Sequence, residues 1–281
     1  MDLVKNRLAA KLGGFFYVCS LLFLVTQNMY IFFKIFAVCT VVLQLAACGS
    51  PPLSVETPDS LAIQSPWALT SIGAANAQAW SHYKLPGKTP SQFEYVLEEG
   101  RDAIAAKAQS SASMLRQIMR VEPAALGRIK FSWKLPDLIQ YADMSLREFD
   151  DSPVRVVLAF EGDRSKFSSK NAMLSELAHV LTGEPLPYAT LMYVWCNICA
   201  PESVILNPHT DRIRKLPLES GTAKLNRWMD YERTVRADFV KAFGEEPGML
   251  TSISIMTDTD NTKSVARAWY GPVSLLPLSG K

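Results

Sequence analysis

The sequence predicts a mainly β chain: a two-sheet antiparallel sandwich, jelly-roll or galactose-binding-like, with one or two short helices. Three observations carry this. Short runs of alternating apolar and polar residues recur from Trp80 onward, which is the period of half-buried strands. Aromatic and β-branched residues fill the alternating positions, where a pleated surface suits them. Only two segments have helical spacing, too few to wrap a parallel sheet.

The elements follow in order. Phe93, Tyr95 and Leu97 alternate with polar partners, as do Ile104, Ala106 and Ala108, and Gly100-Arg101-Asp102 is a hairpin connection between the two runs. Leu115, Gln117, Met119 and Val121 form a third run; Ile129, Phe131, Trp133 and Leu135 form a fourth. The stretch from Val154 to Phe160 is almost wholly apolar and reads as a central strand covered on both faces. Met173, Leu174, Leu177, Val180 and Leu181 make the buried face of a first helix, ended by Gly183 with Pro185 beyond. Further strands are expected over 189–195, 203–206, 212–218, 250–257 and 267–276. The second helix runs from Ala237 to Phe243. Its lead-in, Trp228 to Val235, fits both a helix and a strand.

Ahead of this domain lies a leader. Lys34, the apolar run Ile35 to Leu43, and Leu45-Ala46-Ala47-Cys48 have the order of a secretory signal ending in a lipobox. In signals of that kind the cysteine is acylated, so Cys48 is the expected lipid anchor. Residues 1–47 are then leader, with Met29 as an alternative start. The competing reading is a retained helix anchor, but neither apolar run reaches the ~20 residues a span needs. Gly49 rather than Asp follows the cysteine, which suggests delivery to the outer membrane of a Gram-negative cell. Residues 48–75, with Gly49-Ser50-Pro51-Pro52, Thr57-Pro58 and Trp67, read as a tether. Residues 76–281 read as one domain.

Charge excludes one class of partner. The chain holds 29 basic and 27 acidic side chains, but Lys5, Arg7, Lys11, Lys34 and Asp2 belong to the leader. The remainder is close to neutral and gives no electrostatic reason to expect nucleic acid. Of the cysteines, Cys19 and Cys39 leave with the leader and Cys48 is acylated. Cys196 and Cys199 remain; a local disulfide is the leading reading, ahead of free thiols and of a redox or metal role.

Several motifs together resemble one bacterial family. They are Phe131-Ser132-Trp133-Lys134, Asp150-Asp151-Ser152-Pro153, Phe160-Glu161-Gly162-Asp163, Tyr193-Val194-Trp195, Asn207-Pro208, Phe243-Gly244 and Met256-Thr257-Asp258-Thr259-Asp260-Asn261-Thr262. The family is catalogued as domain of unknown function 3047 (DUF3047), and the resemblance spans about residues 80–276. It implies boundaries and an envelope origin, and it brings no activity. The order of elements is also similar to carbohydrate-binding jelly rolls.

No catalytic signature is present: no G-x-S-x-G, H-E-x-x-H, phosphate loop or G-x-G-x-x-G. Asp258, Asp260 and Asn261 in their loop could aim oxygens at calcium, or form an Asx-rich turn satisfied by its own backbone. His209 beside Asp211 could be an oriented base or a solvated turn residue. Asp150, Asp151, Glu161, Asp163, Glu219 and Asp230 stand near strand ends among arginines, where ion pairing is the ordinary role. Trp133 and Trp195 sit in apolar alternation and belong to the core. Arg267, Trp269 and Tyr270 are the ligand candidates, an aromatic pair beside a cation. The leading expectation is a lipid-anchored envelope protein with a non-catalytic domain for a glycan or another envelope component. A hydrolase of envelope glycans or esters and a structural assembly factor are the alternatives.

Overall fold

The computed structural model describes residues 65–276. The chain divides into two units, Met1–Glu56 and Thr57–Lys281, and every described residue lies in the second. The leader, Cys48 and the tether as far as residue 64 lie outside the described residues.

The order is α1 (Pro66–Thr70), β1 (Ser81–Lys84), β2 (Gln92–Glu98), β3 (Arg101–Gln109), β4 (Ala112–Val121), β5 (Arg128–Lys134), β6 (Ser152–Phe160), α2 (Ser169–Thr182), β7 (Ala189–Cys196), β8 (Ile205–Leu206), β9 (Ile213–Ser220), β10 (Met229–Thr234), α3 (Val235–Phe243), β11 (Leu250–Asp258), β12 (Val265–Tyr270) and β13 (Ser274–Leu276). The strands form a seven-stranded sheet, β1-β4-β11-β6-β7-β9-β8, and a six-stranded sheet, β10-β5-β12-β3-β2, with β13 paired to β5. The chain is therefore mainly β, in two sheets. One pair departs from the antiparallel pattern: β7 and β9 run parallel. The excursion through β8 returns the chain to the same end of the sheet before β9 begins.

Alternation explains the core. Val156, Leu158 and Phe160 of β6, Leu191, Tyr193 and Trp195 of β7, and Phe131 and Trp133 of β5 share one buried cluster. Phe131 and Tyr193 stack across the sheets with ring centroids 5.4 Å apart. The run Val154 to Phe160 is buried throughout, and β6 is the central strand of its sheet. Trp133 and Trp195 are core, as their alternation implies.

Four expectations change. The hairpin between β2 and β3 turns on Glu99 (φ 52°) and Gly100 (φ 79°), one position earlier than Gly100-Arg101-Asp102. Two positive φ values give the twist that joins right-handed strands, and Glu98 then pairs with Arg101. The ambiguous lead-in resolves as both elements in succession: β10 ends at Thr234 and α3 starts at Val235. The tether ends sooner than residue 75. Trp67 in α1 is fully buried, and its ring centroid lies 4.9 Å from that of Trp80. Ser71 Oγ accepts from Val273 N, and Trp80 Nε1 donates to Ser71 O. The indole supplies more apolar area than its polar neighbours withhold.

The fourth change is the first helix. Its apolar stripe faces away from the body: Met173 is 66%, Leu177 53%, Val180 79% and Leu181 60% exposed. Asn171 and Ser175 are the buried positions instead. They are four apart, so they share the opposite face. Asn171 bonds Asp211 and Thr210, and Ser175 accepts from Arg164. Polar anchors set the rotation of this helix.

Candidate functional site

Every second residue of a strand points away from the core. On the outer face of the six-stranded sheet this places Arg101 of β3, Lys130, Ser132 and Lys134 of β5, Asp230 and Glu232 of β10, and Arg267 and Trp269 of β12. Registers align them. Trp269 stands opposite Lys134 on one side and Ala105 on the other, and Asp230 stands opposite Ser132. The Trp269 indole is partly exposed.

Charge and aromatic groups interleave here. Lys134 Nζ is 5.2 Å and the Arg267 guanidinium carbon 5.4 Å from the Trp269 ring centre. Lys134 also donates to Glu98 at 2.7 Å and Glu99 at 2.6 Å. Burial pulls the Lys134 ammonium down, but these two acceptors outweigh it and hold it above the usual lysine range. A second indole, Trp228, lies under the Arg101 guanidinium at 5.2 Å, and Arg101 bonds Asp230 at 2.8 Å. The Trp228 Nε1 hydrogen is buried without an acceptor. Gly271 makes this packing possible, because a Cβ there would come 2.1 Å from Ser132 Oγ. An open groove of about 700 Å³ lies beside these groups, lined by Thr70, Arg101, Asp102, Lys130, Ser132, Asp230 and Pro272, with neither indole in its lining. Such a surface offers flat apolar rings together with donors and acceptors of both charges.

The expected ligand residues divide. Arg267 is exposed and Trp269 partly exposed on this face. Tyr270 does not join them, because it alternates inward and is fully buried. Its hydroxyl donates to Met256 O and meets Thr257 Oγ1 and Arg155 N, so it ties the sheets together. Trp228 and Arg101 were missed. Trp228 sat in the ambiguous lead-in, and Arg101 was assigned to a turn.

The aspartate loop follows a different plan. Asp258 and Asp260 converge with Asp151, each offering a carboxylate oxygen within 4.8 Å of the others. Asn261 Nδ2 donates to Arg147 O, and its backbone N donates to Asp151. Asp151 also accepts from Thr262 N and Thr262 Oγ1 at 2.7 and 2.6 Å. Lys88 pairs with Asp260, and Arg155 lies 3.1 Å from both Asp258 and Asp150. Lys215, with no exposed side-chain surface, donates to Asp150 at 2.6 Å and to Met144 O at 2.8 Å. A calcium ion would have to compete with these internal cations for the same oxygens. Burial pushes the Asp258 carboxyl up to about 7, against the pull of Arg155 and with the push of Asp151. Burial, then the Arg155 charge, brings the Lys215 ammonium down to about 8.

The remaining candidates are accounted for as follows. Cys196 and Cys199 are joined as a disulfide across the turn after β7. Glu161 pairs with Arg164, Glu219 with Lys224 and Asp230 with Arg101. Asp163 caps its own turn by accepting from Ser165. Asp211 accepts from Asn171 at 2.5 Å, and no hydrogen bond joins it to the His209 ring among the described residues.

A model of the family described as "Protein of unknown function (DUF3047)" matches residues 78–274. No curated protein matches the chain. Among solved structures it is similar to the xyloglucanase domain of NopAA, a type three effector from Sinorhizobium fredii, in complex with cellobiose. The identity is 8%, the alignment covers 73% of this chain and 95% of that one, and the TM-score is 0.38.

Proposed function

We propose that this chain, which belongs to the DUF3047 family, is an envelope protein anchored through Cys48 whose domain binds a polyhydroxylated ligand, a glycan or another envelope component, without turning it over. The observation that carries this reading is Trp269, a partly exposed indole flanked by the Lys134 and Arg267 cations on an outward sheet face. A sugar ring lays its apolar face on such an indole while its hydroxyls reach the charged groups beside it. Trp228, Arg101, Asp230 and Ser132 extend the surface along β5 and β10.

The same face argues against hydrolysis. A glycosidase needs a carboxylic acid that keeps its proton near neutral pH. Glu232 is held below the usual carboxylate range by Lys130 and Arg128. Asp230 is paired with Arg101. Neither is placed as a general acid.

The test uses the full-length protein in detergent on an array of envelope glycans. Saturable binding that Trp269→Ala removes supports the reading. Time-dependent cleavage of any bound glycan would establish the hydrolase instead, and a co-purifying protein with no glycan bound would establish the assembly factor. Anchoring is tested separately. Cys48→Ala should release the protein from membranes or leave an uncut precursor. If that variant stays in membranes at full length, and the wild type also keeps residues 1–47, the helix anchor is correct.

A further inference from the structure

A cavity of about 330 Å³ opens between the start of α2 and the segment linking β8 to β9, away from the tryptophan face. Lys170, Asn171, His209, Asp211 and Arg214 supply most of its polar lining. Arg214 is the unusual member. It is partly buried on β9, and its Nε and Nη1 are shielded from solvent without a hydrogen-bond partner. Its guanidinium carbon lies 5.6 Å from the centre of the Phe243 ring. Burial pulls its pKa below the usual arginine value, so its charge is incompletely compensated.

The other large buried cations differ in having a carboxylate partner. Arg155, Lys215, Arg212 and Lys134 all meet carboxylates. Two more groups at this cavity are unengaged: the Lys170 ammonium and the His209 ring make no hydrogen bond or ion pair within the described residues. The 14-residue helix α2 also starts here, capped by Ser168, and its N-terminus carries positive potential. Asp211 is the only acid in the lining, and its Oδ1 is committed to Asn171. Against the lysine and the arginine, this leaves an excess of one positive charge.

We propose that this cavity is a binding site for a small carboxylate, with Arg214 as the principal cation and Lys170 and the α2 N-terminus completing the charge. A guanidinium gives a carboxylate strong, charge-assisted hydrogen bonds. The single excess charge suits a monoanion better than a phosphate dianion. The volume is at the lower end for small-molecule sites, so one metabolite-sized acid or one acidic sugar unit fills it. The inference does not depend on the glycan reading, because it uses none of the same residues.

Calorimetry on the full-length protein in detergent decides it, with glucuronate, a disaccharide ending in glucuronic acid, glucose and inorganic phosphate as probes. Saturable binding of glucuronate but not glucose is expected. If only the free acid binds, the ligand is a small acid; if the disaccharide binds as well, a glycan terminus qualifies. Arg214→Gln should weaken binding by about ten- to a hundredfold, and Lys170→Gln by less, with unchanged circular dichroism. Trp269→Ala should leave this binding intact, which separates the two sites. No binding of either acid, equal binding of glucose, tighter binding of phosphate, or an Arg214→Gln variant that binds as the wild type would each overturn the proposal.

Discussion

The two sheets present charged outer faces, and the two faces have opposite fates. On the seven-stranded sheet, Arg155 and Lys215 point outward by alternation, yet both are buried beneath the segment that carries Met144 and Asp150. There each cation meets a carboxylate at close range. On the six-stranded sheet, Arg101, Lys130, Arg267 and Trp269 have no such cover. The residue types are alike, and the covering segment makes the difference. Charges sealed from water need each other, because an unpaired one would bear its full desolvation cost. Charges left in water are nearly free of that constraint and are available to a ligand.

The largest effect separates two tryptophans. Trp67→Ala should cost about 3–5 kcal/mol, because a fully buried indole leaves a cavity against Trp80. Trp269→Ala should stay within about 1 kcal/mol of wild type while removing glycan binding. Urea unfolding of both variants checks this, and equal losses would erase the distinction between sealed and open aromatics. A fragment beginning at residue 76 should be destabilised to a similar degree as Trp67→Ala.

Next is the sealed cluster. Lys215→Met should lose about 3 kcal/mol, because Asp150 then keeps only part of its compensation. On the open face, Arg101→Met removes a comparable contact, with Asp230, and should lose well under 1 kcal/mol. Similar losses would show that cover is irrelevant.

The pH dependence is subtler. The folded pKa of Asp258 is raised, to about 7, so its contribution to stability is fully present below the unfolded value of about 4. It is lost as pH rises from about 4 to 7. Stability in that window should fall with rising pH more steeply in wild type than in Asp258→Asn. A steeper fall in the variant would reverse the assignment.

The smallest expected effect is that of calcium. Because Lys88, Arg155 and backbone N–H groups already occupy the oxygens around Asp151, Asp258 and Asp260, millimolar calcium should leave Tm unchanged. A rise of several degrees that Asp260→Ala abolishes would convert the loop into a metal site.

Much of the fold was legible because alternation is a local property. The strands around Phe131, Val156, Tyr193 and Ile255 read correctly, and Gly183 and Gly244 ended their helices where expected. The candidate site was legible only in part. Trp269 and Arg267 stood out as an aromatic beside a cation. Trp228 and Arg101 reach the same face from segments remote in sequence: Trp228 just precedes β10, and Arg101 opens β3, with β5 and β12 between those strands.

The sequence by itself determined which residues share a face, since periods of 2 and 3.6 follow from backbone geometry alone. Only the tertiary structure decided which face is covered. The stripe from Met173 to Leu181 is a true helical stripe, yet Asn171 and Ser175 anchor the helix from the other side. Arg155 and Arg267 both alternate outward, yet one is sealed and the other is open. Asp151 joins Asp258 across more than a hundred residues of chain, and Arg214 faces a cavity whose other wall is the start of α2. Cover depends on segments far away in sequence, and a local pattern holds no record of them.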